Sequence, residues 1–452
     1  MKKRLIACVL AGTMILSMAG CGGGAPKADS ADQGSGQSSA ADAEDPKSGS
    51  SKSGNSKAEG ERRVVTIWYD GTEEESVKKL EPEFEALHPD IDLQFEIVPY
   101  SDLSTKEMVA CQSSVGPDVM WQSYAWTNSF AKMGLLTSYS SYLENSSIDL
   151  ENDFDPVALE LGTVDGQIYG LPWSMEAMCL VYNKDMFREA GLDPDQPPKD
   201  WEELVEYARK LTVDKDGDGT VDQYGYGLVG NLTGNTWFRF VPELWSAGGE
   251  VANGDMTAGT LNSPQAIEAM THYTELLTKH HVAPEGSVNN GAAEVRTLFN
   301  NKNVAMYVDG QPAVKNIQKD APDIDVGVAL WPGKEGTLNA GLGGYYIATP
   351  KNAANPEDAW VFIEYFLSKE VQEYFPVSFP ANLKARDTDR FDDEISRTFA
   401  EQLTHTRNFQ PLPDTPGAQQ IILDAVQSVL TGMSTPEEAL NEANEALNQT
   451  LQ

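Results

Sequence analysis

The sequence predicts an α/β protein of two domains, each with a mainly parallel sheet flanked by helices. Segments with strand periodicity alternate with amphipathic helical segments from Val64 onward, and this alternation favours parallel sheets with helices on both faces. The chain after Glu61 is also longer than the roughly 250–300 residues that one hydrophobic core usually serves. We therefore expect two cores rather than one.

The first 20 residues have the pattern of an export signal. Basic residues precede an apolar run from Leu5 to Met18, which ends in small residues before Cys21. Residues 1–20 therefore predict a signal peptide, and Cys21 at its end resembles a bacterial lipoprotein box, which implies a lipoprotein signal peptide with Cys21 as the lipidated first residue of the mature chain. A plain secretory signal is the alternative. Two or three acyl chains, palmitate among them, would hold the protein at the extracellular face of a bacterial cell membrane.

Residues 21–60 have the composition of a flexible tether. After Cys21 they are mostly Gly, Ser, Ala, Asp and Lys, without aromatic or branched apolar residues. Such a segment cannot bury enough apolar surface to offset the entropy lost on ordering. The whole chain carries a formal net charge of −36, so nucleic acid and other acidic polymers are excluded as partners.

The first secondary-structure elements follow the tether directly. Val64–Tyr69 has strand composition, and Thr72 with Glu75 forms a capping box at the start of a helix. Apolar residues alternate with polar residues over Ile91–Ile97, which predicts a second strand, and Asp118–Trp121 predicts a third. Because ligands bind α/β sheets at the carboxyl ends of their strands, the residues that follow these strands are candidates for a site.

Later elements repeat the alternation. Asp200 and Glu203 form a second capping box, and Val304–Val308 and Asp325–Leu330 have strand composition. Pro356 begins a strongly amphipathic helix. These elements lengthen the predicted α/β pattern almost to the end of the chain.

The segment Gly166–Met186 carries the chemistry of a small-molecule cleft. A large ring, Trp173, and a single acid, Glu176, lie between two apolar segments. The alternative is an ordinary buried strand with a tryptophan at its rim.

Several short runs resemble landmarks of family 1 extracellular solute-binding proteins, the maltodextrin-binding type. They are Gly116-Pro117-Asp118-Val119, Tyr169-Gly170-Leu171-Pro172, Glu176-Ala177, Tyr182-Asn183-Lys184, and Asn303-Val304-Ala305-Met306 before Asp309-Gly310. The resemblance implies a two-lobed periplasmic-binding-protein-like fold of type II with hinge crossings between the lobes. The expected N-terminal lobe is 61–175 and 335–370, the C-terminal lobe 176–334 and 371–452, and the crossings lie near 174–180, 331–338 and 368–376.

The resemblance also implies a binding function. A protein of this kind captures a sugar or oligosaccharide by hinge closure and delivers it to the permease subunits of an ABC importer, without breaking a bond. We expect a monomer that requires no cofactor. A surface glycoside hydrolase and a polysaccharide-binding adhesin are the alternatives. A hydrolase would need, in addition, an acid whose pKa is raised by burial.

The predicted ligand-binding residues combine rings for the apolar faces of a sugar with polar groups for its hydroxyls. They are Trp68, Asp70, Trp121, Tyr124, Trp126, Trp173, Glu176, Trp237, Asp309, Gly344 and Tyr345. Glu176 is the leading candidate, because the resemblance places an acid for the sugar at this position. The run from Asp309 to Pro312 lacks the tryptophan that is common there in the family.

An aspartate-rich loop resembles a calcium-binding loop. Oxygen ligands at alternating positions suit Ca²⁺, and the predicted metal ligands are Asp214, Asp216, Asp218, Thr220 and Asp222. Gly225 stands where such a loop has its bidentate glutamate. A metal-free turn is the alternative to a structural calcium site.

Two cysteines remain after the signal region, Cys111 and Cys179. One disulfide is the alternative, but two cysteines without a repeated spacing favour buried free thiols.

Overall fold

The computed structural model describes residues 62–113 and 115–452. The predicted signal peptide, Cys21 and all of the predicted tether lie outside the described residues. Among the helices of the described part, none has both the length and the apolar composition that a membrane span requires.

The strands of the described residues follow the alternation expected from the sequence. In chain order they are β1 (Arg63–Tyr69), β2 (Ile91–Ile97), β3 (Val119–Ser123), β4 (Thr163–Val164), β5 (Gln167–Ile168), β6 (Leu171–Glu176), β7 (Met178–Asn183), β8 (Tyr224–Tyr226), β9 (Val304–Gly310), β10 (Val326–Ala329), β11 (Ala340–Gly341), β12 (Gly343–Ala348), β13 (Phe379–Pro380) and β14 (Thr406–Arg407). The predicted strands at 64–69, 91–97 and 304–308 are confirmed.

Helices lie between these strands and form the end of the chain. They are α1 (Glu74–Leu87), α2 (Tyr100–Cys111), α3 (Thr127–Lys132), α4 (Ser140–Leu143), α5 (Leu150–Asp153), α6 (Pro156–Glu160), α7 (Lys184–Glu189), α8 (Trp201–Leu211), α9 (Thr233–Ser246), α10 (Pro264–Thr278), α11 (Ala292–Asn300), α12 (Gln311–Asp320), α13 (Pro356–Phe366), α14 (Lys369–Gln372), α15 (Glu394–Leu403), α16 (Thr415–Leu430) and α17 (Pro436–Thr450).

Each of two lobes is built on its own sheet, and both sheets are mixed. In the described residues the first sheet has the order β13-β6-β12-β3-β1-β2 and the second the order β10-β7-β9-β8. In the first, β1 pairs in parallel with β2 and β3, whereas β12 and β13 pair antiparallel with their neighbours. The antiparallel strands are the ones through which the chain leaves or re-enters the lobe.

The two predicted capping boxes have different outcomes. The carboxylate of Asp200 accepts the N–H of Glu203 at 2.9 Å, so the predicted cap of α8 is confirmed. The box at Thr72 and Glu75 does not form. The hydroxyl of Thr72 instead donates to Asp70 at 2.8 Å, and the helix begins later, at Glu74.

The chain passes between the lobes at three places. The first is Ala177, the single residue between β6 and β7, and the second lies between β10 and β12. The third lies beyond β13, later than the expected 368–376. Val371, Phe375 and Ala381 are buried in the core of the first lobe, so the segment 371–381 belongs to that lobe and not to the C-terminal lobe expected from the sequence.

The expected two cores are not fully separate, because one of the three hydrophobic clusters of the described residues contains residues of both lobes. One cluster fills the first lobe around β1, β3 and α13, and the largest joins Met120, Trp126 and Phe130 of that lobe to α9, α10 and α16. Cys111 and Cys179 are buried and unpaired, which confirms the expectation of free thiols.

Candidate functional site

Two adjacent cavities lie between the lobes and share Glu176 and Tyr345. The first, of about 160 Å³, is lined by Tyr100, Ser123, Glu176, Met178, Gly234, Asn235, Phe238, Gly341, Gly343, Gly344 and Tyr345. The second, of about 270 Å³, is lined by Asp70, Thr72, Glu73, Trp173, Ser174, Glu176, Arg296, Asp309, Pro312, Ala313, Asn316, Tyr345 and Ser378. Because both lobes supply lining residues, this cleft is the candidate binding site.

The backbone brings Tyr345 to the junction of the cavities. The preceding residue, Gly344, has φ of +134°, and a Cβ there would lie 2.2 Å from the carbonyl oxygen of Ser174. A glycine is therefore required for β12 to run this close to β6. The ring of Tyr345 stacks on that of Trp173, with centroids 5.6 Å apart.

Asp70 is fixed at the end of β1 by three hydrogen bonds. It accepts from the N–H of Thr72 at 2.9 Å, from the Thr72 hydroxyl, and from the hydroxyl of Tyr345. Burial and the neighbouring Asp70 carboxylate raise the pKa of Tyr345, so its hydroxyl stays a donor. Thr72 and Tyr345 thus fix the orientation of the Asp70 carboxylate, a hydrogen-bond acceptor in the lining of the second cavity.

Asp309 lies in a buried ion pair at the end of β9. Its Oδ1 accepts from Nη2 of Arg239 at 3.2 Å and from the N–H of Gly310 at 2.9 Å, while its Oδ2 has no protein partner. Arg239 also donates to the carbonyl groups of Val308 and Asn235, so α9 is bound to the end of the second sheet. That oxygen is itself fully buried beside the cavity.

Glu176 lies at the end of β6 and borders both cavities. Its burial, and then the nearby carboxylates of Asp309 and Asp70, raise its pKa to about 8, against the opposing effect of Arg239. The side chain is therefore mostly protonated at neutral pH. A protonated carboxyl can donate one hydrogen bond and accept others, which suits a polyhydroxy ligand.

Six of the predicted ligand-binding residues line the cavities. They are Asp70, Trp173, Glu176, Asp309, Gly344 and Tyr345. The other five are placed elsewhere. Trp121, Tyr124 and Trp237 are almost fully buried in the cores, Trp68 packs against the largest core cluster, and Trp126 supports Tyr100, with ring centroids 5.6 Å apart. Of the five tryptophans that were predicted as ligand-binding residues, only Trp173 lines either of these two cavities.

Several lining residues were not predicted from the sequence, and helix periodicity explains two of them. Trp237 was predicted but faces the core, whereas Asn235 and Phe238 of the same helix line the first cavity. Residues three apart share a helix face, and a residue one step away lies about 100° around the axis. Tyr100 lies three residues after the predicted strand at 91–97, and this place near a strand end is a signal that could have identified it. Arg296 on α11 has no such signal.

The aspartate-rich loop brings together three of its predicted ligands. Carboxylate oxygens of Asp214, Asp216 and Asp218 all lie within 4.8 Å of one another, and these side chains are exposed. Backbone N–H groups, first that of Gly219, lower the pKa of Asp214. The carboxylate of Asp222 instead accepts the N–H of Lys215 at 2.7 Å. The geometry is compatible with a cation and equally with a turn held by its own backbone.

Comparisons with known sequences give a consistent result. The profile of the family described as bacterial extracellular solute-binding protein matches residues 70–373. A binding protein of Brucella abortus is 27% identical over 394 residues, which cover 85% of this chain and 92% of that protein. The maltotriose-binding protein of Pyrococcus abyssi is 28% identical over 310 residues, which cover 67% of this chain and 62% of that protein.

A solved structure extends the comparison to three dimensions. An ABC transporter solute-binding protein from Thermotoga lettingae, bound with α-D-tagatose, aligns with a TM-score of 0.79 and 30% sequence identity. The alignment covers 86% of this chain and all of that one. The two-lobed α/β architecture is therefore confirmed.

Proposed function

This chain belongs to the bacterial extracellular solute-binding protein family, and from that premise we propose that it is the sugar-binding receptor of an ABC importer. The two lobes close around a sugar or oligosaccharide, and the closed form docks on the permease subunits. Ligand favours the closed form because it contacts both lobes there. The maltotriose-binding relative and the tagatose-bound structure support a sugar as the ligand.

The observation that carries this proposal is the cleft between the lobes. Acceptors from the first lobe, such as Asp70, and from the second, such as Asp309, line one cavity beside the stacked rings of Trp173 and Tyr345. This combination offers polar groups for sugar hydroxyls next to an aromatic surface.

The charge of the cleft favours a neutral sugar over an anionic one. Asp70 and Asp309 face the second cavity, the protonated Glu176 adds no positive charge, and the guanidinium of Arg239 is already bound to Asp309 and to two carbonyl groups. A phosphate or carboxylate ligand would lie among these acids, leaving Arg296 as its nearest lining cation. We expect glucose and its oligomers to bind better than glucose 6-phosphate or glucuronate.

A ligand screen followed by scattering tests the proposal. Purified protein is heated with ketohexoses, maltose-type oligosaccharides and mannose-type oligosaccharides, and the sugars that raise Tm are titrated calorimetrically. Small-angle scattering should then show a smaller radius of gyration with the bound sugar. A profile unchanged by every sugar would contradict closure, and release of shorter sugars at catalytic rates would favour the hydrolase alternative.

The anchor at Cys21 is part of the same proposal. A receptor tethered by lipid at the outer face of the membrane stays near its permease, while residues 21–60 give it reach. Growth of producing cells with an alkyne analogue of palmitate should label the wild-type protein and leave Cys21→Ala unlabelled. Equal labelling of both proteins would place any lipid elsewhere.

A further inference from the structure

Gly310 lies at the point where β9 ends and α12 begins, beside Glu176. Its backbone has φ of −88° and ψ of 172°, an extended conformation that any residue adopts. It is opposite Met178 in the ladder between β9 and β7. Conformation therefore does not explain why this position holds a glycine.

The carboxyl of Glu176 occupies the space that a side chain at 310 would need. A Cβ on Gly310 would lie 1.7 Å from Oε1 of Glu176 and 2.8 Å from its Cδ. Non-bonded carbon atoms lie best at about 3.5–4.0 Å, and real Cβ atoms essentially never come closer than 3.0 Å to another heavy atom, so both groups cannot stay in place. Glu176 passes directly over the Gly310 backbone on its way to the junction of the two cavities.

We propose, on the basis of the sugar-binding function above, that Gly310 is a positioning residue that admits the Glu176 carboxyl to the cleft. Glu176 is the acid that borders both cavities, so its placement determines which hydroxyls the ligand can present there. A methyl group at 310 displaces that carboxyl. Gly310 thus governs affinity and selectivity through Glu176.

A double-mutant cycle separates this role from a general structural one. Calorimetric affinities for one bound sugar are measured for wild type, Gly310→Ala, Glu176→Ala and the double variant. Gly310→Ala should weaken binding by about tenfold or more in the wild type, equivalent to about 1.4 kcal/mol. In the Glu176→Ala protein it should change affinity by no more than about twofold, since the group it displaces is gone. Equal losses in both backgrounds would overturn the inference.

Gly310 is also the residue that caps α12, and a serine variant tests that explanation. Serine caps a helix better than alanine but carries a Cβ as well. Gly310→Ser should therefore lose affinity as Gly310→Ala does, and restored affinity in Gly310→Ser would assign the glycine to capping. Gly286→Ala, whose added Cβ meets nothing within 4 Å, is the matched control and should behave as wild type.

Thermal stability without ligand gives a second readout that needs no sugar. Gly310→Ala should lower Tm when Glu176 is present and leave it nearly unchanged in the Glu176→Ala protein. The same Tm loss in both backgrounds would contradict the inference even if sugars bind. If the cycle in Tm holds while no sugar binds, the positioning role stands and the proposed ligand is wrong.

Discussion

At the residue scale, Glu176 is the side chain on which the proposed binding depends most. We expect Glu176→Ala to weaken sugar binding by about 0.5–1.5 kcal/mol for each hydrogen bond lost, the range for a neutral carboxyl, with little loss of stability. Isothermal titration of both proteins with the same sugar measures the difference. Glu445→Ala, an exposed acid on α17, is the control. Unchanged affinity in Glu176→Ala would remove this residue from the site.

Trp173 has a structural role in addition to the ligand-binding role that its sequence context predicts. Its ring is 1% exposed, contacts Trp121, Phe366 and Phe375, and reaches the second cavity at its edge. Trp173→Ala should therefore lower the free energy of unfolding by about 3–5 kcal/mol, the cost of removing a core aromatic. Urea denaturation measures it. A loss of affinity without a loss of stability would show that the ring serves the ligand alone.

The residue scale also shows what a single sequence leaves open. The two acids at strand ends, Asp70 and Asp309, could be predicted because strand ends face the cleft in this kind of sheet. The sequence could not show which tryptophans line the cleft and which lie in a core, because the burial of each ring depends on the residues that cover it. Trp121 also lies at the end of a predicted strand, yet its ring packs against Phe366 and Phe375 in the core.

At the scale of elements, the aspartate-rich loop gives a testable prediction about calcium. We expect millimolar Ca²⁺ to raise Tm in the wild type and not in Asp216→Ala, because binding to the folded state alone stabilises it. Chelation should reverse the shift. Mg²⁺, which requires stricter octahedral geometry, serves as the comparison. Identical Tm values with and without Ca²⁺ would leave the loop as a metal-free turn.

Elements were predicted well where local chemistry determines them and less well where tertiary contacts do. The cap at Asp200 and the strand periodicity at 91–97 are local, and both are present. The capping box at Thr72 did not form because the Thr72 hydroxyl donates a hydrogen bond to Asp70, the residue that follows β1. The placement of 371–381 depends on the pairing of β13 with β6, which no local pattern reveals.

At the scale of the whole molecule, buried acids in both lobes predict how stability changes with pH. Burial is the main cause that raises the pKa of Glu73, Glu107 and Glu176 to about 8 and that of Glu243 to about 7. Each folded pKa lies above the unfolded value of about 4.5, so the folded protein holds protons that the unfolded chain has released. Stability should therefore fall as pH rises from about 4.5 to about 8.

Melting temperatures at pH 5, 6, 7 and 8 check this prediction. Glu107 is the best position for a control variant, since it accepts from Nε1 of Trp126 and Nε2 of Gln122 and lies outside the lining of both cavities. Glu107→Gln cannot lose a proton and should reduce the slope of Tm against pH. A Tm that rises over this interval would contradict the assignment.

The position of Glu176 beside the crossing at Ala177 has a consequence for how a ligand is captured. A group close to a rotation axis moves through a short arc, so the carboxyl would keep nearly the same place whether the lobes are apart or together. A sugar can therefore bind first to this carboxyl, whose position changes little. The lining residues farther from the crossing then close on the sugar. The dissociation rate would then depend on the contacts that the distant lining residues make after closure. The association rate would depend on the first contact with Glu176.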